Sequence, residues 1–129
     1  VAVDPATALR EQADQDFGAL SGPLNNTWAA QISAKQPGLV AEGKTWTDQD
    51  IMQQFEDFAA RYPNAKLLWS GQWRVFNHTD WWVTVVADGF TSPEAANSWC
   101  RSQRYGPDDC FAKLISTTAG PTGSTVYWK

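Results

Sequence analysis

The stretch WWVTVVAD at residues 81–88 decides the fold. It is β-branched and aromatic throughout, which is the composition that strands favour. Its unbroken apolar run predicts a central strand with both faces largely covered. A helix follows at once, because Ser92 is a good N-cap, Pro93 suits the first helical position and Glu94 complements the helix dipole.

On both sides of residues 81–88, the sequence predicts further strands and helices. Residues 110–117 (CFAKLIST) predict a strand after that helix, and residues 66–70 predict a short one before the central strand. Thr47 caps an amphipathic helix at 48–62. Residues 25–35 fit either a helix or a strand, and we favour the strand. The resulting order, β-α-β-β-α-β, predicts an α+β fold: an antiparallel, ferredoxin-like sheet with two helices on one face.

The chain has 129 residues, which predicts a single domain spanning 1–129. Within it, residues 1–26 form an N-terminal helical extension, residues 27–118 the α+β core and residues 119–129 a C-terminal tail with a short strand. The sequence begins at Val1, so we expect either a mature secreted product or a segment of a longer protein.

The charge balance narrows the choice of partners. With 14 acidic and 10 basic residues the net charge is −4, and such a field repels phosphate backbones and anionic lipids. We therefore expect no nucleic-acid partner. No apolar run reaches the roughly 20 residues that span a bilayer, so we expect attachment to a membrane only through a segment outside this chain.

The two cysteines are placed to staple a helix to the following strand. Cys100 lies in the last turns of the predicted helix, and Cys110 opens the next strand. They could be buried reduced thiols, but we favour a disulfide, which is typical of an oxidising compartment. Two thiols and the distant His78 cannot supply four metal ligands, so we expect no metal site and no cofactor.

Three runs of the second half carry a resemblance: LLWSGQW at 67–73, WWVTVVADGFTSPEAANSWC at 81–100 and DDCFAKLIS at 108–116. They resemble a domain at the extracytoplasmic ends of actinobacterial membrane proteins, including receptor-like Ser/Thr kinases. The pattern over residues 37–118 is also similar to the SPOR domain, a peptidoglycan-binding module. The resemblance implies a bacterial cell-envelope location and a sensing or anchoring role.

No catalytic motif is present, and we expect no enzyme activity. His78 is the only histidine, in a predicted polar turn at 77–80, and neither a G-x-S-x-G elbow nor a Gly-rich phosphate loop occurs. We expect a non-catalytic extracytoplasmic sensor or ligand-binding domain that binds a cell-wall component. The alternative is a protein–protein interaction or dimerisation module that uses exposed aromatic residues, among them Trp73, Phe76 and Trp81.

Tryptophan is the unusual residue of the composition, with eight copies. If Cys110 faces the helices, strand alternation places Phe111 and Lys113 on the opposite face. If Val83 and Val85 are the core pair of the central strand, its alternate residues Trp82 and Thr84 lie beside Phe111 and Lys113. The candidate ligand-binding residues are Trp82, Thr84, Phe111, Lys113 and Trp73. If the N-terminal helix covers this face, the same residues form a second small core and no site; the sequence leaves both outcomes open.

Overall fold

The computed structural model describes residues 4–76, 78 and 80–128. Its helices are α1 (Pro5–Ser21), α2 (Asp48–Arg61) and α3 (Pro93–Ser102). Its strands are β1 (Thr27–Lys35), β2 (Val40–Ala41), β3 (Lys44–Thr45), β4 (Ala65–Trp69), β5 (Trp82–Phe90), β6 (Phe111–Ile115) and β7 (Thr125–Val126). Residues 1–3 of the predicted first helix, Asn77 and Thr79 of the predicted turn, and Lys129 of the predicted tail lie outside the described residues.

The main sheet confirms the predicted α+β fold. Its strand order is β4-β5-β1-β6-β7, and all pairs are antiparallel. β1, β4, β5 and β6 are the four strands of the predicted core in chain order. The first of them, β1, lies between the third and the fourth, β5 and β6, as the split β-α-β plan requires. β5 is interior, and residues 82–87 are all buried, as its apolar run predicts.

A second, two-stranded sheet was not predicted. β2 pairs with β3 through a two-residue turn at Glu42 and Gly43, which both have positive φ angles of 54° and 80°. Such a turn matches the right-handed twist of a hairpin. The indole Nε1 of Trp46 donates to the Ala41 carbonyl at 3.1 Å, which anchors the hairpin to the start of α2.

The sheet has an apolar core on each face. On the first, which we call the helix face, α2 and α3 pack through Ile51, Phe55 and Cys100. On the other, which we call the outer face, the cover comes from the end of α1 and from the segment between β4 and β5. The outer-face core contains Leu20, Leu68, Trp73, Val75, Val83, Val85 and Ile115.

Helix α1 lies along the β4 edge of the sheet. Asp4 caps it, with its carboxylate accepting from Thr7 N at 3.1 Å. Further along, buried Asp16 accepts a hydrogen bond from the backbone N–H of Leu67 in β4 at 2.8 Å. An edge strand exposes backbone groups that invite association with other strands, and Asp16 occupies one of them.

We predict that Asp16→Ala lowers the free energy of unfolding by about 1–3 kcal/mol, because the buried Leu67 N–H loses its acceptor. Asp14→Ala is the matched control: it deletes the same side chain from the same helix, but Asp14 is exposed. Urea unfolding followed by tryptophan fluorescence measures both. Equal losses in the two variants would contradict the role given to Asp16.

The predicted disulfide is present. The Sγ atoms of Cys100 and Cys110 are 2.08 Å apart, and both residues are fully buried. The bridge joins α3 to the residue before β6. Two hydrogen bonds by Asn97 of α3 extend this connection, since its side chain accepts from Ala112 N at 2.9 Å and donates to the Val126 carbonyl at 3.2 Å. A structural disulfide of this kind is typical of an oxidising environment.

We predict that the double variant Cys100→Ala/Cys110→Ala is less stable than the oxidised wild type by about 2–3 kcal/mol, the chain-entropy value for a short loop. Urea unfolding gives the difference, and intact-mass measurement of the untreated protein verifies that the bridge is closed. Reduced wild type should behave like the double variant. A double variant as stable as the oxidised protein would contradict a structural role for the bridge.

Candidate functional site

An open groove on the outer face is the first candidate site, and we call it the outer groove. It has a volume of about 250 Å³ and crosses β1, β5, β6 and β7. Four aromatic side chains line it, Phe76, Trp81, Phe111 and Tyr127. The polar side chains among its lining are Gln31, Ser70, His78, Lys113 and Thr125.

Strand register assembles the β6–β7 wall of the outer groove. Lys113 pairs with Thr125, and the next residue along β7, Val126, pairs with Ala112. Tyr127 then reaches Phe111, and their ring centroids are 4.8 Å apart. Tyr127 is 65% exposed, so the ring pair presents an aromatic surface to solvent.

The segment between β4 and β5 supplies the opposite wall of the outer groove. Ser70 and Trp81 exchange two hydrogen bonds of 2.9 Å: Ser70 N donates to the Trp81 carbonyl, and Trp81 N donates to Ser70 Oγ. These contacts hold together the ends of the segment that carries Phe76. His78, in the same segment, is exposed.

Lys113 is buried beside the groove. Its ammonium donates to the Val75 carbonyl at 2.8 Å, to Ser124 Oγ at 2.8 Å and to Thr125 Oγ1 at 2.9 Å. It also lies 4.8 Å from the centroid of the Phe76 ring. All these partners are uncharged, and burial lowers the pKa of Lys113 to about 8.

The structure brings together only part of the predicted ligand-binding set. Phe111 and Lys113 lie on the outer face and line the outer groove, as strand alternation predicted. Trp82 and Thr84 do not lie beside them. Trp82 belongs to the helix-face core, and Thr84 has the same strand parity.

The prediction of the β5 orientation was therefore wrong, and Val83 and Val85 face outward instead. Trp82 packs on Trp69 with 4.5 Å between ring centroids, and the Arg10 guanidinium lies 5.4 Å from the Trp82 ring. Because the whole run is buried, hydrophobicity does not distinguish its two faces.

Trp73 is not a surface residue. It is 3% exposed and packs against Phe17 of α1, with ring centroids 4.9 Å apart. It supports the loop that forms the groove wall, and its ring cannot reach a ligand or a docking partner. Sequence reasoning missed Tyr127 and Gln31, because their membership of the groove depends on pairing registers that the sequence does not display.

The sequence left open whether the N-terminal helix covers the outer face, and the structure shows that α1 covers part of it. The end of α1 reaches the outer-face core through Phe17 and Leu20. Neither of these residues lines the outer groove. The helix therefore covers the part of the face near its own C-terminal end, and the groove at β6 and β7 stays open.

A second cavity, with a volume of about 550 Å³, lies beside α2 and shares Gln31, Ala34 and Phe111 with the outer groove. Its lining includes Ser33 and Lys35, whose Oγ and Nζ are 3.1 Å apart, as a serine nucleophile and a lysine base would be. However, Lys35 also pairs with Glu42 at 3.2 Å, and Ser33 Oγ donates to Gln54 Oε1 at 2.8 Å. The lysine is thus a donor in both contacts, and the serine proton points away from it. This arrangement ties β1 to α2 and does not activate a nucleophile.

Tyr105 on the rim of that cavity is also held in its neutral form. Burial, and then the hydroxyl of Tyr62 at 3.1 Å, raise the pKa of Tyr105. Among the described residues, no three His, Cys, Asp or Glu side chains converge as metal ligands would. Nor does any described helix have the length and apolar character needed to cross a bilayer.

Comparison with known proteins gives no relative: no protein-family model, no curated protein and no solved structure matches the chain.

Lys113 gives a prediction on stability and pH. Its pKa is about 8 in the folded protein and 10.5 ordinarily, so the unfolded chain binds more protons between these values. The free energy of unfolding should therefore rise from about pH 8 to about pH 10, by about 1–2 kcal/mol. Above that range the raised pKa of Tyr105 acts in the opposite direction.

Urea unfolding at a series of pH values measures this rise. We expect Lys113→Met to abolish it and Lys66→Met, at a half-buried lysine of β4, to retain it. Identical pH profiles for the wild type and Lys113→Met would show that Lys113 titrates as an ordinary lysine.

Proposed function

We propose that this chain is a non-catalytic, extracytoplasmic sensor or ligand-binding domain of a bacterial cell-envelope protein, and that its outer groove binds a cell-wall glycan. The observation that carries the proposal is the combination of an open groove, four aromatic rings and a few fixed polar groups. Small-molecule sites are typically concave and aromatic, with polar groups that orient the ligand.

The aromatic pair suits a sugar in particular. The rings of Phe111 and Tyr127 are tilted by 49° to each other, so they form two sides of a shallow corner. The apolar C–H face of a pyranose can pack on such a corner, while its hydroxyls reach Gln31 and Thr125 on either side. This division between ring faces and hydrogen-bonding groups is the usual one for a ligand that is itself amphipathic.

The location and the absence of catalysis have separate support. The buried disulfide is typical of a protein exposed to an oxidising compartment. In the second cavity, the Ser33 hydroxyl donates to Gln54 and the Lys35 ammonium pairs with Glu42, so Lys35 does not serve as a base for Ser33. The resemblance of residues 67–116 to envelope domains favours a bacterial source.

We predict that soluble muropeptides, prepared by digestion of peptidoglycan, quench or shift the tryptophan fluorescence in a saturable manner, because Trp81 lines the groove. Phe111→Ala and Tyr127→Ala should each weaken binding about tenfold, the effect of one aromatic contact worth about 1.4 kcal/mol.

Val40→Ala is the matched control, since Val40 is 75% exposed and lies on β2, away from the groove. It should bind as the wild type does. No saturable binding by the wild type would sink the proposal. A mass that rises with protein concentration, measured in the same samples by light scattering, would instead favour the interaction module.

A further inference from the structure

The charge of the outer groove differs from that of the whole chain. The chain carries a net charge of −4, yet no aspartate or glutamate lines the groove. Its basic side chains are the buried Lys113 and the exposed His78. The groove thus presents the Lys113 ammonium without a lining carboxylate, whereas the cavity that shares Gln31, Ala34 and Phe111 with it is lined by Glu42, Asp108 and Asp109.

Within residues 4–76, 78 and 80–128, no carboxylate forms an ion pair with the ammonium of Lys113. Its three hydrogen bonds go to one carbonyl and two hydroxyls, and the ion pairs found among the described residues, Lys35–Glu42 and Lys44–Asp50, do not involve it. A buried charge is usually paired, because burial without a partner is costly. In the described part of the chain, the positive charge at the side of the groove is therefore stabilised by neutral oxygen acceptors alone.

A purely structural role does not require this charge. The segment that carries Val75 is already tied to the β6–β7 connection, because Ser124 Oγ lies 3.1 Å from the Val75 carbonyl. An uncharged side chain at position 113 would keep that contact and avoid the burial of an ion. Lys113 therefore combines internal hydrogen bonds with a charge that can attract a ligand in the groove.

We propose that the outer groove selects a ligand that carries a carboxylate beside an apolar ring face, with Lys113 supplying the electrostatic attraction and Phe111 and Tyr127 the ring contact. This inference rests on the proposed function and names the chemical class of its ligand. Since the three N–H groups of Lys113 are occupied, the attraction acts through the field of the ammonium and needs no direct hydrogen bond.

The test compares N-acetylmuramic acid with its methyl ester, in which a methyl group caps the carboxyl group and removes its charge. Isothermal titration calorimetry at low salt should give an affinity about tenfold higher for the acid. The difference should shrink at about 0.3 M salt, where charges are screened over a few ångströms. Equal affinities would overturn the carboxylate selection and leave glycan binding standing. Failure of both probes to bind would overturn the carboxylate selection, whereas the muropeptide titration decides glycan binding itself.

Two variants assign the effect to Lys113. Lys113→Met should remove the preference for the acid over the ester, whereas His78→Gln should keep the preference. Near-ultraviolet circular dichroism checks that each variant is folded. If Lys113→Met does not fold, the salt dependence in the wild type decides, because a preference that does not respond to salt contradicts an electrostatic origin.

Discussion

The position of β1 between β5 and β6 is the constraint on which the rest of the structure depends. Both partners are distant in sequence, and both pair with it in antiparallel register. The pairing with β5 shifts between Gln31 and Ser33, as at a β-bulge. Without that shift, period-2 alternation would place Ile32 and Ala34 on the same face. Instead Ile32 joins the helix-face core, while Gln31 and Ala34 both line the outer groove.

This dependence explains what the sequence could and could not predict. The helices, the main strands and the disulfide were predictable because caps, prolines, β-branched runs and cysteine positions are local signals. The parity of β6 was also predictable, since Cys110 is tied to α3 and orients the residues after it. The parity of β5 was not, because both of its faces are buried and the alternation of apolar and polar residues that would orient it is missing. The bulge in β1 and the approach of Tyr127 to Phe111 depend on long-range register, for which the sequence carries no marker.

The two edges of the sheet are covered to different extents. The β4 edge is covered by a helix, whereas the β7 edge leaves room for a site. At β4 the helix α1 covers the edge, and Asp16 takes the place of a neighbouring strand by accepting from Leu67 N. At the other edge β7 is only two residues long, and the chain continues as an aromatic pair of residues that point to opposite faces. Tyr127 joins the outer groove, whereas Trp128 packs against the helix-face core and donates to the Cys110 carbonyl at 2.7 Å. The short strand thus ends the sheet while placing one ring on each side of it.

The disulfide therefore also orients the residues that line the groove. Closure of the bridge holds Cys110 inward, which directs Phe111 and Lys113 outward, and the carbonyl of Cys110 holds Trp128, which directs Tyr127 toward Phe111. Reduction would release the first of these anchors and loosen the second, because both act on the residue that opens β6. The aromatic corner of the groove is therefore expected to be well formed where the bridge can form, and the same oxidising conditions that stabilise the fold also set the geometry of the surface proposed to bind the ligand.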